Sequence, residues 1–269
     1  MEESCAPVAV VGRLLAGSLS HGALYGDTFH VKSVPNAKNI AYTSVPLSPH
    51  QDLAYYESKP GLQFLHCISN ENVEGGESVL IDAMAAAEEF RRIAPMYFEI
   101  LTKCSATFVK QREGADMIYR RPHIVVDDLD NIVSVNWSPP FEGPLCLQHD
   151  SIVDYYRAYA ALERMLDNSL PKDHDDYALP PMLANLLSEY ANRYTWERRL
   201  EAGEMLVFSN VRMLHGRRGF SFCGDGGGRH LMGAYTNIDD TLNRYRVLLR
   251  DRCSGVSVPS AGNGSCGVS

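Results

Sequence analysis

Residues 39–52 of the chain read NIAYTSVPLSPHQD, and this stretch ends in a histidine and an aspartate two positions apart, His50 and Asp52. Side chains alternate between the two faces of an extended strand, so a strand here would point both groups the same way. A second imidazole, His215, follows far downstream. Two imidazoles and one carboxylate on one face of a metal suit Fe(II), because the opposite positions stay open for an organic co-substrate and dioxygen. The pattern predicts an iron site made of His50, Asp52 and His215.

An arginine, Arg229, follows His215 at the start of a predicted strand. A guanidinium can hold a carboxylate in a planar, two-pronged salt bridge that lysine does not match. An Fe(II) enzyme that uses a 2-oxo dicarboxylic acid needs such a group to hold the far carboxylate while the oxo acid chelates the iron. Taken singly, a buried histidine or a turn aspartate is more typical of a structural role, so the metal site is favoured only by the combination.

Composition excludes several classes of protein. The chain has 269 residues, 45% hydrophobic and 22% charged, which is typical of a globular protein. Its net charge of −8 gives no electrostatic case for nucleic acid or an anionic membrane as a partner. The 7 cysteines are scattered and never form a C-x-x-C pair, which argues against a disulfide framework and a cysteine-rich zinc site. No segment is typical of a signal peptide or a membrane span. We therefore expect a cytoplasmic protein.

Short strands separated by glycine turns dominate the pattern, with a few helices between them. Together they predict a mainly β fold, a sandwich or open barrel, with flanking helices. The tyrosine-rich face of 151–167 is interpreted as core packing. Segment 171–196 is ambiguous, and 239–250 fits either a helix or a strand. Strands are predicted at 24–31, 40–43, 62–68, 78–81, 106–110, 117–121, 124–126, 132–136, 205–210 and 230–235, and helices at 8–24, 83–94, 96–102 and 151–167.

Several motifs in one order resemble a known family. The chain is similar to the γ-butyrobetaine dioxygenase branch of the taurine-dioxygenase-like Fe(II)/2-oxoglutarate-dependent oxygenases. The resemblance implies a double-stranded β-helix (jelly-roll) core. It also implies an N-terminal segment, 1–21, shorter than in relatives, a catalytic domain, 22–250, and a disordered tail, 251–269. The matching motifs are YGDTF at 25–29, NIAYT at 39–43, HQD at 50–52, PGLQFLHC at 60–67, GGES at 75–78, LHGRR at 214–218 and RHLMGAY at 229–235.

The same resemblance assigns the cofactor residues. His50, Asp52 and His215 would be the iron ligands, and Arg229 would grip the distal carboxylate of 2-oxoglutarate. Ser78 stands where relatives often carry a threonine hydroxyl near this co-substrate, although a serine at the start of a strand is an equally good structural reading. Fe(II) and 2-oxoglutarate are therefore the expected cofactor and co-substrate, and the resemblance also admits ascorbate as a reductant.

The substrate residues implied by the resemblance form an aromatic cage for a trimethylammonium group, made of Tyr25, Phe29, Tyr42 and Tyr235. A quaternary ammonium donates no hydrogen bond, so ring faces bind it, each contributing about 0.5–2 kcal/mol. Phe29 stands where well-known relatives carry tryptophan, which is the better partner for a cation. Among amides, Asn39 would orient the carboxylate of the substrate, with Asn136 as a weaker second candidate.

The favoured reaction is hydroxylation of a trimethylammonium carboxylate, namely γ-butyrobetaine to L-carnitine. The expected partner is a small quaternary-ammonium molecule, and a homodimer is left open. Three alternatives remain at this point. A sister oxygenase acting on trimethyllysine or another betaine would keep the iron residues. A zinc hydrolase could use the same triad but would leave Arg229 without a role. An inactive, truncated remnant or binding module is the third.

Overall fold

The computed structural model describes residues 5–22, 24–33, 43–112, 114–167, 179–223 and 228–252. Strands dominate these ranges, and helices cluster on the outside. The strands are β1 (Thr28–Lys32), β2 (Leu47–His50), β3 (Leu62–Glu71), β4 (Val73–Gly75), β5 (Ser78–Asp82), β6 (Ser105–Arg112), β7 (Ala115–Pro122), β8 (Ile124–Val126), β9 (Ile132–Val135), β10 (Thr195–Arg198), β11 (Met205–Ser209), β12 (Met213–Arg217), β13 (Phe220–Phe222) and β14 (Gly228–Thr236). The helices are α1 (Pro7–Ala16), α2 (Ala83–Ile93), α3 (Pro95–Lys103), α4 (Ile152–Leu166), α5 (Pro181–Tyr190) and α6 (Ile238–Arg252).

Two four-stranded antiparallel sheets form the core, with strand orders β1-β14-β3-β11 and β10-β5-β12-β2. Leu65 on β3, Leu80 on β5 and Phe208 on β11 belong to one buried cluster and join the two sheets. This is the double-stranded β-helix, or jelly-roll, that the resemblance implies. Because its two sheets face each other, side chains from distant parts of the sequence meet between them.

Helices α2 to α5 cover the outer face of the second sheet. Val79 and Ile81 of β5 pack in one core cluster with Phe90 of α2 and Leu162 of α4. The tyrosine-rich face of α4 is core packing, as predicted, since Tyr155 is buried in the same cluster. Helix α2 begins after Asp82, whose carboxylate accepts a hydrogen bond from the Ala85 amide. Helix α3 begins at Pro95, and both helices lie within one residue of the predicted ranges 83–94 and 96–102.

Helix α1 packs on the outer face of the first sheet. Val8 and Ala9 are buried against Phe64 of β3 and Ala234 of β14. The helix is shorter than the predicted 8–24 because Gly17, at φ 86°, ends it and donates its amide to the Arg13 carbonyl. The described part of the predicted segment 1–21 therefore lies on the sheet, and the division at 21 stays a prediction.

The ambiguous segments resolve in favour of helices. Residues 239–250 lie in α6, where Asp239 and Asp240 in the first turn and Arg250 and Arg252 in the last complement the helix dipole. Because α6 ends at Arg252, it extends two residues into the predicted tail 251–269, which is a correction. The rest of that tail lies outside the described residues. Within 171–196 the structure places α5 and the start of β10, and 171–178 lies outside the described part.

His123 makes the stability of the fold depend on pH. Its ring is fully buried, Nδ1 donates to the Asn136 carbonyl (2.7 Å) and Nε2 accepts from the Tyr155 hydroxyl (2.8 Å). Burial lowers its pKa to about 4, and the hydrogen bond to Asn136 only partly opposes this. In the unfolded chain the pKa returns to about 6.5. Protons therefore bind the unfolded chain more tightly, and stability is lost as pH falls below 6.5.

We expect the free energy of unfolding to drop by roughly 2 kcal/mol from this group between pH 7.5 and 5.0. Urea unfolding midpoints and slopes at the two pH values, compared between the wild type and His123→Gln, measure the effect. The glutamine variant should lose the corresponding part of the pH dependence. Equal pH dependence in the two proteins would show that His123 is not held neutral by burial.

Candidate active site

Pairing of β2 with β12 brings the two predicted histidines together. His50 lies opposite His215 in the antiparallel register, and their ring centroids are 4.4 Å apart. Strand β12 is held on its other side by β5, where His215 pairs with Leu80. Both imidazoles are buried, at 5% and 8% exposure. The third residue, Asp52, joins them from the segment that follows β2.

The predicted placement of Asp52 on the same strand as His50 is wrong. Strand β2 ends at His50, and Asp52 lies in a turn. Leu53, the next residue, has φ 58°, a left-handed conformation that is uncommon for a branched side chain. The turn nevertheless aims the carboxylate at both rings: Oδ1 lies 3.4 Å from His50 Nε2 and Oδ2 lies 3.6 Å from His215 Nε2. One potential ligand atom from each of the three residues lies within 4.8 Å of the others.

Hydrogen bonds orient two of the three groups, His50 and Asp52. His50 Nδ1 donates to the Ser48 carbonyl (2.9 Å), which leaves the lone pair on Nε2, the atom facing Asp52. Oδ2 of Asp52 accepts from Gln63 Nε2 (2.7 Å) and from the Tyr235 hydroxyl (2.6 Å). These contacts fix the ring and the carboxylate in one orientation, as outer partners do around metal ligands.

Asn210 anchors the turn itself. Its Oδ1 accepts from the Asp52 amide and its Nδ2 donates to the Asp52 carbonyl, both at 3.0 Å. Asn210 is fully buried, so these two bonds hold the backbone of the turn against the end of β11.

Protonation of the site suits a metal. Burial alone would raise the pKa of Asp52, but charge interactions with His215 and His50 and hydrogen bonds with His50 and Tyr235 outweigh it and lower that pKa well below its usual range. Burial lowers the pKa of His215 to about 4, and the neighbouring His50 adds to this. At neutral pH Asp52 is therefore ionised and His215 neutral, the forms that bind metals. Burial opposes protonation of His50, but the contacts with Asp52 raise the pKa of His50, so a metal would compete with a proton at that ring.

Two buried arginines face the same cavity. Arg229 is 4% exposed, and its Nε has no hydrogen-bond partner among the described residues. Arg217 donates to the Thr43 and Val45 carbonyls at 2.8 and 2.6 Å. Burial lowers the pKa of each to about 10, with the charge of Arg217 contributing at Arg229, so both stay cationic at neutral pH. A buried guanidinium with a free donor fits the carboxylate of a small acid.

Arg217 was assigned no role from the sequence. The signal was present, since it lies two positions after His215 on β12 and so faces the same side of the strand. Ser78, the predicted contact of the co-substrate, is its partner across β5 and β12 and is 5% exposed. Ser78, Arg217 and Arg229 line the same cavity.

Most of the predicted site residues line one cavity of about 230 Å³. Asn39 and Tyr42 lie outside the described residues, so the structure gives no position for these two candidates. The predicted residues that line the cavity are Tyr25, Phe29, His50, Asp52, Ser78, His215, Arg229 and Tyr235.

Asn136 does not line the cavity. It is fully buried behind the turn that carries Asp52. Its Oδ1 accepts from Lys59 Nζ and its Nδ2 donates to the Pro122 carbonyl at 2.7 Å. Lys59 also donates to Gln51 Oε1, in the turn between the two ligands, at 3.3 Å. Both ends of the amide are therefore used in supporting the fold, which corrects its prediction as a substrate contact.

The three described rings of the predicted cage pack on one another. The Tyr25 and Phe29 ring centroids lie 4.9 and 5.0 Å from that of Tyr235. Phe29 lies directly over Gly233, where a Cβ would come within 2.2 Å of the ring. No space separates the three rings, so an ammonium group would lie over their cavity-facing surfaces and not between them.

Further residues of the cavity were not singled out from the sequence. Tyr55 and Phe141 form an aromatic wall, with ring centroids 5.2 Å apart, and Lys110 and Arg112 from β6 lie beside it. Segment 106–110 is correctly predicted as a strand, but nothing in its pattern shows which distant elements it will face.

Comparison with known proteins gives a consistent result. Residues 13–235 match the model of the family described as taurine catabolism dioxygenase TauD, TfdA family. Dioxygenase str8 of Strobilurus tenacellus is 32% identical over 235 residues, covering 83% of this chain and 48% of that protein. The γ-butyrobetaine dioxygenase of Pseudomonas sp. (strain AK-1) is 31% identical over 226 residues, covering 84% of this chain and 52% of that protein.

The mitochondrial trimethyllysine dioxygenase of Bos taurus is 30% identical over 234 residues, covering 86% of this chain and 49% of that protein. The chain thus spans about half the length of these relatives. Among solved structures, the non-heme iron oxygenase OrfP in complex with Fe, succinate and (3S)-hydroxy-L-Arg superposes with a TM-score of 0.57 at 16% identity, over 92% of this chain and 72% of that one, which shows the shared fold. Within the described residues no helix is long and apolar enough to cross a membrane.

Proposed function

Because the chain belongs to the TauD, TfdA family of taurine-catabolism dioxygenases, we propose that it is an Fe(II)- and 2-oxoglutarate-dependent dioxygenase. The observation that carries this proposal is the convergence of His50, Asp52 and His215, with Arg229 in the same cavity. A zinc hydrolase would use the same triad, but it would leave the free donor of buried Arg229 without a function.

The residues fit the cofactor and the co-substrate. The three ligands would hold Fe(II) on one face, and Arg229 would bind the distal carboxylate of 2-oxoglutarate, beside Ser78. When bound, the iron and the oxo acid supply the oxidation, in which dioxygen converts 2-oxoglutarate to succinate and CO₂ and inserts one oxygen into a C–H bond of the substrate. The chain contributes the positions of these groups and the exclusion of water from a buried site. Ascorbate would serve only as an accompanying reductant.

For the substrate we propose a small trimethylammonium carboxylate, with γ-butyrobetaine first and trimethyllysine or another betaine second. Relatives named for both substrates support the two candidates, with identities to this chain of 31% for the γ-butyrobetaine dioxygenase and 30% for the trimethyllysine dioxygenase. The faces of Tyr25, Phe29 and Tyr235 that line the cavity are the groups that would contact the methyl groups. We place the enzyme in the cytoplasm because the cysteines of the described residues are free thiols, and the homodimer remains a prediction.

A comparison of γ-butyrobetaine with its carbon isostere, 5,5-dimethylhexanoate, tests this proposal. Succinate should form in step with hydroxylated product when γ-butyrobetaine, Fe(II) and 2-oxoglutarate are present. The isostere has the same shape without the positive charge. Its KM should be about tenfold higher or more, because the attraction between the ammonium group and each ring is lost. Trimethyllysine in the same panel decides between the two betaines. Succinate formation that ignores every betaine would contradict the proposed substrate class.

A further inference from the structure

One face of β6 passes from apolar to basic as it reaches the cavity. Ala106 and Phe108 are buried in the cluster that contains Tyr55 and Tyr235. Side chains two positions apart share a face of a strand, and the next two residues on this face, at 110 and 112, are Lys110 and Arg112. Both line the cavity. The strand therefore places two cations on the cavity wall, with Lys110 partly buried and Arg112 exposed.

The charges of the cavity wall are unbalanced. Asp52 is the one carboxylate among the described lining residues, whereas four cations line the wall, in a chain whose net charge is −8. Asp52 belongs to the metal site, and Arg217 and Arg229 lie on the co-substrate side with Ser78. Lys110 and Arg112 form no ion pair with any carboxylate of the described residues. The wall thus carries two positive charges that neither the metal nor the co-substrate accounts for.

Lys110 lies against one ring of the aromatic wall, and Arg112 is exposed at the end of β6. Lys110 Nζ is 4.6 Å from the centroid of Phe141, whose ring contacts Tyr55. Burial raises the pKa of Tyr55, the charge of Asp52 raises it further, and Arg112 opposes the rise. Tyr55 lines the same cavity as Asp52 and Arg112. The cavity therefore presents the candidate metal ligands, the aromatic wall and the basic pair to one bound molecule.

We propose that Lys110 and Arg112 bind the carboxylate of the substrate, so that the cavity selects small organic acids. This inference rests on the proposed function and adds the group that fixes the far end of the substrate. The planar fork of Arg112 matches a carboxylate, and Lys110 adds a mobile point charge. An uncharged protein group, such as the Asn39 side chain expected from the sequence, distinguishes a substrate carboxylate from the corresponding substrate amide far less than two cations do.

The test pairs each acid with its neutral amide: γ-butyrobetaine with its amide, and 5,5-dimethylhexanoate with its amide. Calorimetry measures the Kd of the four compounds for the full chain loaded with 2-oxoglutarate and Ni(II), which prevents turnover, and steady-state rates give KM with Fe(II). In the wild type each amide should bind about tenfold more weakly than its acid, the cost of losing a charged hydrogen bond. In the double variant Lys110→Gln/Arg112→Gln, the Kd of each acid should rise by about tenfold or more. The Kd of each amide should change less than twofold.

Arg120→Gln is the matched control, because Arg120 is exposed on the same hairpin, pairs with Thr107 and does not line the cavity. It should leave all four Kd values unchanged. Equal binding of acid and amide by the wild type, or an equal loss for both in the double variant, would overturn the assignment. The ammonium comparison tests the proposed betaine class separately: if acids with and without ammonium bind equally but amides bind poorly, the betaine proposal fails and the carboxylate site stands.

Discussion

His215→Ala is expected to abolish substrate-dependent succinate formation, lowering kcat/KM by ~10³-fold or more, as expected when several kcal/mol of metal-site stabilisation are lost. The variant removes one of three ligands and leaves Asp52 and His50 as an incomplete set. It also leaves Gln63, whose Nε2 lies 3.5 Å from His215 Nε2, without that neighbour. Initial rates with γ-butyrobetaine, together with iron content after gel filtration, measure the effect.

His230→Ala provides the control for removing an imidazole from the same fold. His230 lies on β14, contacts His30 at 2.8 Å between ring nitrogens and does not line the cavity. It should keep both iron and activity. Near-normal turnover by His215→Ala would show that the chemistry does not depend on this triad.

Arg229→Met is expected to raise the KM for 2-oxoglutarate by about 100-fold, because truncating one partner of a buried charge pair costs several kcal/mol. Methionine keeps much of the volume beside Phe220 but offers no donor, whereas Arg229→Lys keeps the charge and loses the fork. The KM of the lysine variant for 2-oxoglutarate should therefore lie between those of the wild type and Arg229→Met. Initial rates against 2-oxoglutarate concentration at saturating iron give the three KM values.

The control here is Arg218→Gln, which removes a cation that pairs with Glu197 at 2.8 Å and is not part of the cavity wall. Its KM for 2-oxoglutarate should stay within about twofold, as is usual for an exposed ion pair. An unchanged KM in Arg229→Met would remove the arginine from the co-substrate site and reopen the hydrolase alternative.

The candidate metal site could be predicted from the sequence, although the reason given for the position of Asp52 was wrong. Alternation along a strand predicted that His50 and Asp52 point the same way, but β2 ends at His50 and a turn through left-handed Leu53 places the carboxylate. Residue spacing does not show where a strand stops, because the register with β12 decides it. The motif nevertheless located three residues that the structure brings together, although the backbone at Asp52 differs from the predicted strand.

The wall of the cavity was predicted less well. Asn136 was the weaker second candidate for the substrate carboxylate, but its amide is used by Lys59 and Pro122. A sequence does not show whether a buried amide is already satisfied. Lys110 and Arg112 lie in a correctly predicted strand, yet their position beside Tyr55 depends on contacts between distant elements. Long-range packing of this kind leaves no periodic signal in the chain.

Helix α6 shows the same limit on a smaller scale. Its pattern from 239 to 250 fitted a helix or a strand, because no residue of the helix is buried and no apolar stripe is needed. The acidic first turn and the basic last turn complement the helix dipole, and they are the sequence features that favour a helix over a strand here. Charge at helix ends thus carried information that hydrophobic periodicity did not.

An anaerobic titration of the full chain with Fe(II) and 2-oxoglutarate tests the central claim most directly. Chelation of the iron by the oxo acid should give a weak visible charge-transfer band that saturates at one iron per chain. The band should be absent in His215→Ala and should need far more 2-oxoglutarate in Arg229→Met. A wild-type chain that binds no iron, or that binds it without developing the band, would contradict the assignment of this cavity as a 2-oxoglutarate oxygenase site.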